Sequence, residues 1–416
     1  MIGAGEPSCA GKQCLSINLI LNMNISYCPL IDKMRNHSMN STKVNWVVVF
    51  VHGVVSCLGI LENALIIWVL GFRIRQRTVV CIWVLNLSLS DFLACLTLPL
   101  FTAYLSYSQS WTLGNALCVA QSSIFYLNMF ASAFMLTVIS LDRLLLVVKP
   151  VWSKTHRSLA GAWKVCAIGW LWAMINTVPY AVFRSVIDKN DGKSLCYHNF
   201  ALYLPTSASL ERNCEMRQAA TAISKILFAF LIPLVIITAS YIKIGLKLKD
   251  LDRKRRASNS WLKNILMRNE NSVETNTSVK SQTSDSLSKA KSNKRSSNTP
   301  APSLLSKSFT KMIALVIISF TVIWAPYHIL CMMEVTALKE KEIYSIVETW
   351  LPLAATFSFL NPVLNPVLYA FSCPQFCMNI RQNLAAVFES LLEEGGELVA
   401  QGRSSRARSR NVSLVA

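Results

Sequence analysis

The chain has 416 residues, of which 53% are hydrophobic and 15% charged. That balance is too apolar for a water-soluble domain of this length and indicates a membrane protein. The net charge of +19 does not argue for a nucleic-acid partner: much of the excess lies in 249–311 and 403–410, where juxtamembrane positive charge facing anionic lipid accounts for it.

Residues 1–45 carry three Asn-X-Ser/Thr triplets, at Asn24, Asn36 and Asn40, which accept N-glycans when they face outward. The opening residues lack a basic region followed by a long apolar core, so no cleaved leader is expected. Seven windows then reach the roughly 20 residues needed to cross the hydrocarbon core of a bilayer. They are 46–72, 79–104, 116–148, 163–183, 219–246, 309–335 and 344–371. An odd number of crossings leaves the two ends on opposite sides. Arg73, Arg75 and Arg77 follow the first window, Lys149, Lys154 and Arg157 the third, and Arg381 the seventh. The positive-inside bias makes these loops cytoplasmic and the N-terminus extracellular. The expected fold is an all-α seven-transmembrane helix bundle over 46–371. Its loop at 249–308 is expected to be disordered, because 269–308 is rich in Ser, Asn, Thr and Lys and poor in aromatics. In the cytoplasmic stretch 372–416, residues 374–392 have apolar side chains at helical spacing with Arg381 opposite, which suits a short amphipathic surface helix. Cys373 and Cys377 are candidates for palmitoylation there.

Thirteen cysteines divide by location. Cys57, Cys81, Cys95, Cys166 and Cys331 lie in apolar windows and read as small buried hydrophobes. Cys118 and Cys196 fall at the outer end, where oxidising conditions favour a disulfide. Cys28 and Cys214 are also extracellular and available for a second bridge, while Cys9 and Cys14 have no assigned partners.

Several polar groups are costly where they stand. Asp91 is a carboxylate in mid-membrane, to be paired, protonated or bound to a cation. Arg143 closes the third window at the inner face, where a guanidinium can pair with Asp142 at rest and meet a protein partner when released. Pro326 removes a backbone hydrogen bond and kinks the sixth window. The run Asn365-Pro366-Val367-Leu368-Tyr369 places a polar cluster in the seventh. Lys225 lies about two helical turns, roughly 12 Å, outward from Pro233 in an otherwise apolar fifth window. Snorkelling to the interface is one account of it. The other is a cationic end to a cavity: Arg184 lies at the same outer level, with Tyr197, His198 and Tyr327 as further donors and Phe125, Tyr126 and Trp324 as apolar lining. Such a pocket suits an amphiphile with one carboxylate and a long apolar body. It does not suit an amine, since no acid lies near Phe125 and Tyr126. No metal-spaced His/Cys cluster or nucleophilic triad stands out, so an enzyme is not expected. Paired halves of a transporter are also lacking.

Glu62-Asn63, Leu87-Ser-Leu-Ser-Asp91, Asp142-Arg143-Leu144, Trp170, Pro233, Trp324-Ala-Pro326-Tyr327 and Asn365-Pro366 stand one in each window. Together they resemble the rhodopsin-like (class A) G-protein-coupled receptors over 46–389. Ser122 to Ser132, Lys149-Pro-Val-Trp152, Asn176-Thr-Val-Pro-Tyr180 and Ala325-Pro-Tyr-His328 are similar to the chemoattractant branch of that family. The resemblance implies a sodium ion held by Asp91, Ser132, Asn361 and Asn365. It implies a switch made by Asp142, Arg143, Pro326 and Tyr369, with Trp324 as its toggle. It also implies coupling to a heterotrimeric Gi/o protein, and arrestin recruitment after phosphorylation of residues such as Ser404, Ser405, Ser409 and Ser413. Arg184, Lys225 and Tyr327 match the positions that hold a ligand carboxylate, and Glu334 matches an acid at the outer end of the sixth helix. The implied ligand is an acidic lipid, prostaglandin D2 or a metabolite, with a leukotriene or a formyl-type peptide as the alternative. The chain departs from the pattern at Leu144, His198, Gln121 and Tyr126, and in the length of the loop between the fifth and sixth helices. Phe359 stands where an opsin would need its lysine.

Overall fold

The computed structural model describes residues 27–37, 46–74, 76–204, 209–273, 302–337 and 340–372, and within these the side chains of 262–273, 302–314 and 367–372 are excepted. Among the described residues seven helical spans are long and apolar enough to cross a membrane. They are Trp46–Arg73, Val79–Ser106, Gly114–Val148, Leu159–Val182, Leu210–Trp261, Leu315–Thr336 and Lys341–Pro366. The third span runs through the middle, packed against the second, fourth and fifth, while the first closes the ring against the second and seventh. Outward faces carry large apolar side chains, among them Phe50, Leu61, Ile168, Ile175, Val235 and Ile318. Such a girdle is stable in lipid and would aggregate in water. Two glycines let helices approach closely: a β-carbon at Gly59 would strike Cys95, and one at Gly169 would strike Phe134. Small residues at such crossings bring backbones together where no hydrophobic drive separates helix from lipid.

Polar side chains tie the spans across the bundle. Trp170 donates its indole N–H to Asn86 Oδ1 at 3.0 Å, joining the fourth span to the second. The seventh span is two helices, Lys341–Ser358 and Leu360–Ser372, parting at Phe359. Pro362 has no N–H to offer the carbonyl of Ser358, so the ladder fails there. Pro366 in the same way frees the carbonyl of Pro362, and Asn63 of the first span donates to it at 3.0 Å. The asparagine beside Glu62 thus repairs a break made by the proline of the Asn-Pro pair.

At one end of the bundle the fourth span runs into an antiparallel hairpin, β1 (Arg184–Asp188) and β2 (Ser194–His198), in which Arg184 faces His198. Two disulfides lie here, Cys118–Cys196 and Cys28–Cys214. The second anchors a short N-terminal helix, Pro29–Asn36, which also sets Lys33 over the Tyr344 ring at 4.2 Å. Arg35 Nε donates to the Asp188 carbonyl at 2.9 Å, and His37 lies 3.4 Å from Glu348.

Several expectations need correction. The loop expected to be disordered over 249–308 is helical in its described parts, because the helix begun at Ile232 continues to Val273 and the next starts at Pro302. The first part of the extension is rich in Lys, Leu and Arg, good helix formers. Asp250 pairs with Arg253 and Lys254 one turn on, at 3.0 and 3.1 Å. Cys57 is exposed on the outer face of the first span, where a thiol meets lipid at little cost. The pairing of Asp142 is corrected below. Cys9, Cys14, Asn24, Asn40, Arg75, Cys373, Cys377, the expected surface helix at 374–392 and the tail serines lie outside the described residues. Asn36 is exposed, with Asn190 Nδ2 donating to its Oδ1 at 2.6 Å.

Candidate functional site

A cavity of about 870 Å³, counted to its open mouth, lies between the hairpin and the second, third, fifth, sixth and seventh spans. Lys225 enters it from the fifth. There the helix widens into a π-helical stretch, Lys225–Leu231, ending two residues before Pro233, and such bulges re-aim side chains inward. Only 5% of Lys225 is exposed. Its ammonium donates to Cys331 Sγ at 3.3 Å and lies 5.6 to 5.8 Å from the rings of Tyr180, Tyr327 and Tyr126. Tyrosine faces attract a cation, but they do not cancel its charge. Snorkelling is excluded, since the side chain points into the bundle.

Arg184 lines the same cavity from the first residue of β1. Its Nε donates to Cys196 Sγ at 3.3 Å, and the guanidinium lies 6.0 Å from the Tyr197 ring. Burial lowers Arg184 from its ordinary range, opposed by Tyr126, Tyr327, Tyr104 and Glu334. A guanidinium nevertheless keeps its proton at neutral pH. Neither cation is in an ion pair among the described residues. Glu334 lines the cavity and supports Arg184 through space without touching it.

Between the two cations runs a hydroxyl relay. Tyr327 donates to Tyr126 at 3.1 Å, and the Tyr126 hydroxyl lies 3.0 Å from His198 Nε2. Burial, then the charges of Arg184 and Lys225, hold His198 well below the ordinary histidine value. The ring is therefore neutral. Its other ring nitrogen, Nδ1, is buried without a partner. Ser122 Oγ lines the cavity in the same condition. Much of the remaining lining is aromatic: Phe125 meets Tyr327 and Phe359 with ring centroids 5.6 and 5.1 Å apart.

Of the residues expected here, Gln121, Phe125, Tyr126, Arg184, Tyr197, His198, Lys225, Tyr327 and Glu334 all line the cavity. Trp324 does not. It is 2% exposed and lies beneath Tyr327, ring centroids 6.5 Å apart, because three residues along a helix place it nearly one turn deeper. Sequence reasoning missed Phe101, Tyr104, Trp111, Ser122 and Cys331 as lining.

Deeper in the bundle Asp91 is wholly buried. Its Oδ1 accepts from Asn128 at 2.8 Å and Ser132 at 3.0 Å, and its Oδ2 from Asn365 at 2.8 Å. Asn128 was not foreseen, and the expected Asn361 makes no bond to Asp91: its Nδ2 is buried without a partner, as is Asn365 Oδ1. At the far end, Asp142 does not rest on Arg143. Arg157 holds both carboxylate oxygens, through Nε at 2.8 Å and Nη2 at 3.0 Å. The turn after the short helix Pro150–His156 brings that guanidinium back under the third span. Pro326 lies within the sixth span's helix, and Tyr369 lies in the last helix with its side chain outside the described residues.

A bundle of seven membrane helices joined through Asn63, Asp91 and Trp170, with a cationic cavity at one end, is a receptor architecture. The sequence profile described as "7 transmembrane receptor (rhodopsin family)" matches residues 62–369, and the chain belongs to that family of G-protein-coupled receptors. Its members are receptors and not enzymes. The chain is 37% identical to prostaglandin D2 receptor 2 of Mus musculus, over 94% of this chain and 89% of that one. It is 29% identical to the C3a anaphylatoxin chemotactic receptor of Oncorhynchus mykiss, over 88% and 86%. It is 30% identical to chemerin-like receptor 2 of Mus musculus, over 88% of each. The chain is thus a multi-pass membrane receptor of the chemoattractant type.

Proposed function

We propose that the chain is a plasma-membrane receptor for an acidic lipid, prostaglandin D2 or a metabolite of it, that signals through an inhibitory Gi/o protein to lower cAMP and drive chemotaxis. One observation carries this reading: Lys225 and Arg184 are cations in one cavity, and among the described residues neither is in an ion pair. A buried unpaired charge is costly, and a ligand carboxylate removes the cost with charge-assisted hydrogen bonds. The Tyr327 and Tyr126 hydroxyls and the neutral His198 ring add polar contacts, and the aromatic floor receives the apolar body. The name of the 37% identical relative agrees with this ligand. The docked Pro29–Asn36 helix, whose Leu30 and Met34 line a space that adjoins the cavity at Tyr197 and Glu334, favours a compact amphiphile over a long peptide or a formyl-type peptide. A leukotriene remains the alternative of like chemistry.

In this reading the N-terminus is extracellular and glycosylated at Asn24, Asn36 and Asn40, and arrestin binds after the tail is phosphorylated. Ligand occupancy favours the arrangement of the sixth span that admits the G protein, and the whole driving force is the difference in affinity between the two states. The Asp91 cluster suits a sodium ion. A carboxylate, the Ser132 hydroxyl and the unpartnered Asn365 Oδ1 form a hard oxygen set. Bound there, sodium would supply positive charge that favours the ionised carboxylate and the resting packing.

The test is forskolin-raised cAMP in cells expressing the receptor, with prostaglandin D2, a leukotriene and a formyl peptide side by side. A fall with prostaglandin D2 alone is expected. A response to the leukotriene or peptide in its place would overturn the ligand assignment.

A further inference from the structure

Of the five free cysteines among the described residues, Cys331 alone lines the cavity. It stands one turn beyond Tyr327 on the sixth span, and the Lys225 ammonium donates to its sulfur at 3.3 Å. A cysteine that merely fills space needs no cation. The contact sets a proton donor against the sulfur, and the thiolate is the form that attacks electrophiles. The surroundings point to a ligand independently of the thiol. Ser122 and His198, 3% and 8% exposed, line the same cavity, each holding a buried polar atom without a partner, and buried polar groups left in this way call for a partner.

We propose that Cys331, activated by Lys225, is a covalent capture site for acidic lipids that carry an α,β-unsaturated carbonyl. The proposal rests on the acidic-lipid reading, because the carboxylate must bring the chain of the ligand past the sulfur. The sulfur bonds to the β-carbon, the C=C π pair moves onto the carbonyl as an enolate, and the α-carbon then takes up a proton. Lys225 can deliver that proton and recover the one the thiol released. The sum is addition of S–H across the double bond: the ligand's mass is added, nothing leaves, and no oxidant or reductant is needed. Such ligands occupy the receptor after washout, whereas their saturated counterparts leave.

The experiment uses the full-length receptor in membranes, a long-chain fatty acid bearing a cyclopentenone ring, and its analogue with the ring double bond reduced. After washout, peptide mapping by mass spectrometry is expected to find one intact ligand on the Cys331 peptide with the enone only, and none in Cys331→Ser. N-ethylmaleimide, a neutral electrophile that needs no carboxylate contact, is expected to label Cys331 about tenfold more slowly in Lys225→Met, because the neighbouring cation is gone. If the saturated acid shields Cys331 from maleimide and the enone still leaves no adduct, covalent capture is wrong and the acidic-lipid reading stands. If neither acid shields the thiol, the ligand class fails and takes this inference with it. An adduct confined to another cysteine overturns the assignment to Cys331.

Discussion

Lys225 concentrates the cost and the use of the cavity in one side chain. An ammonium with a single sulfur acceptor and three aromatic faces is tolerated in the free receptor and satisfied only by an anion. Lys225→Ala is expected to weaken an acidic agonist at least tenfold, about 1.4 kcal/mol, with surface expression retained. Unchanged potency in a dose–response curve would remove Lys225 from the carboxylate site. His198 works in the opposite sense. Held neutral by burial and by two neighbouring cations, it does not change charge between about pH 6 and 8, where an ordinary histidine does. His198 should therefore add no pH dependence to the affinity for an acidic ligand across that range, and His198→Gln should leave the shape of its pH profile unchanged. To stability it should add one, on the acid side of that range. As pH falls through about 6.5, the unfolded chain takes a proton on this ring that the folded chain refuses, so folding loses free energy. Thermal unfolding of the purified receptor should show His198→Gln losing less stability than wild type between pH 7 and 5; equal losses would place the acid sensitivity elsewhere.

The Pro29–Asn36 helix is short, and helices of its length are marginal in isolation. It stays docked because Cys28–Cys214 ties one end, while Lys33, Arg35 and His37 reach Tyr344, Asp188 and Glu348. Beneath it a second space of about 380 Å³ shares Tyr197, Glu334, Leu351 and Pro352 with the main cavity, so the helix covers part of the way out. Cys28→Ser is expected to release a bound acidic ligand about fivefold faster, since changes at a binding site appear mainly in the off-rate. Washout of a radioligand measures it, and an unchanged off-rate would mean that the helix does not gate the cavity. None of this element was legible from the sequence beyond the two cysteines, because its eight residues have no apolar period long enough to announce a helix. The membrane spans were legible because apolar length is a strong constraint in lipid. Lys225, Arg184 and Asp91 were legible because charge in such a setting is rare. Asn128 escaped notice, although it lies one turn from Ser132 on the same face and spacing alone would have found it. Tyr104, Trp111 and Phe101 read as core aromatics, and only the fold distinguishes a ring that packs from one that faces a cavity. Arg157 gave no sign of its bond to Asp142, which depends on how a seven-residue helix turns the chain back.

Across the whole molecule the cavity and the Asp142-Arg143-Leu144 triplet lie at opposite ends of the third span, and the Asp91 cluster joins the second, third and seventh spans between them. In wild type, Arg157 already neutralises Asp142 with two charge-assisted bonds, so the half-buried Arg143 does not depend on that carboxylate alone to hold its place. If Arg143 is the contact for a G protein, agonist and G protein each bind the active arrangement better, and each must raise the affinity of the other by the same factor. A guanine nucleotide, which releases the G protein, then lowers agonist affinity in wild-type membranes and leaves antagonist affinity alone. Arg143→Ala is expected to abolish cAMP inhibition, to keep antagonist binding, and to make agonist affinity insensitive to the nucleotide. A variant that keeps the nucleotide-dependent shift would show that the arginine supports the fold at that end and does not carry the coupling.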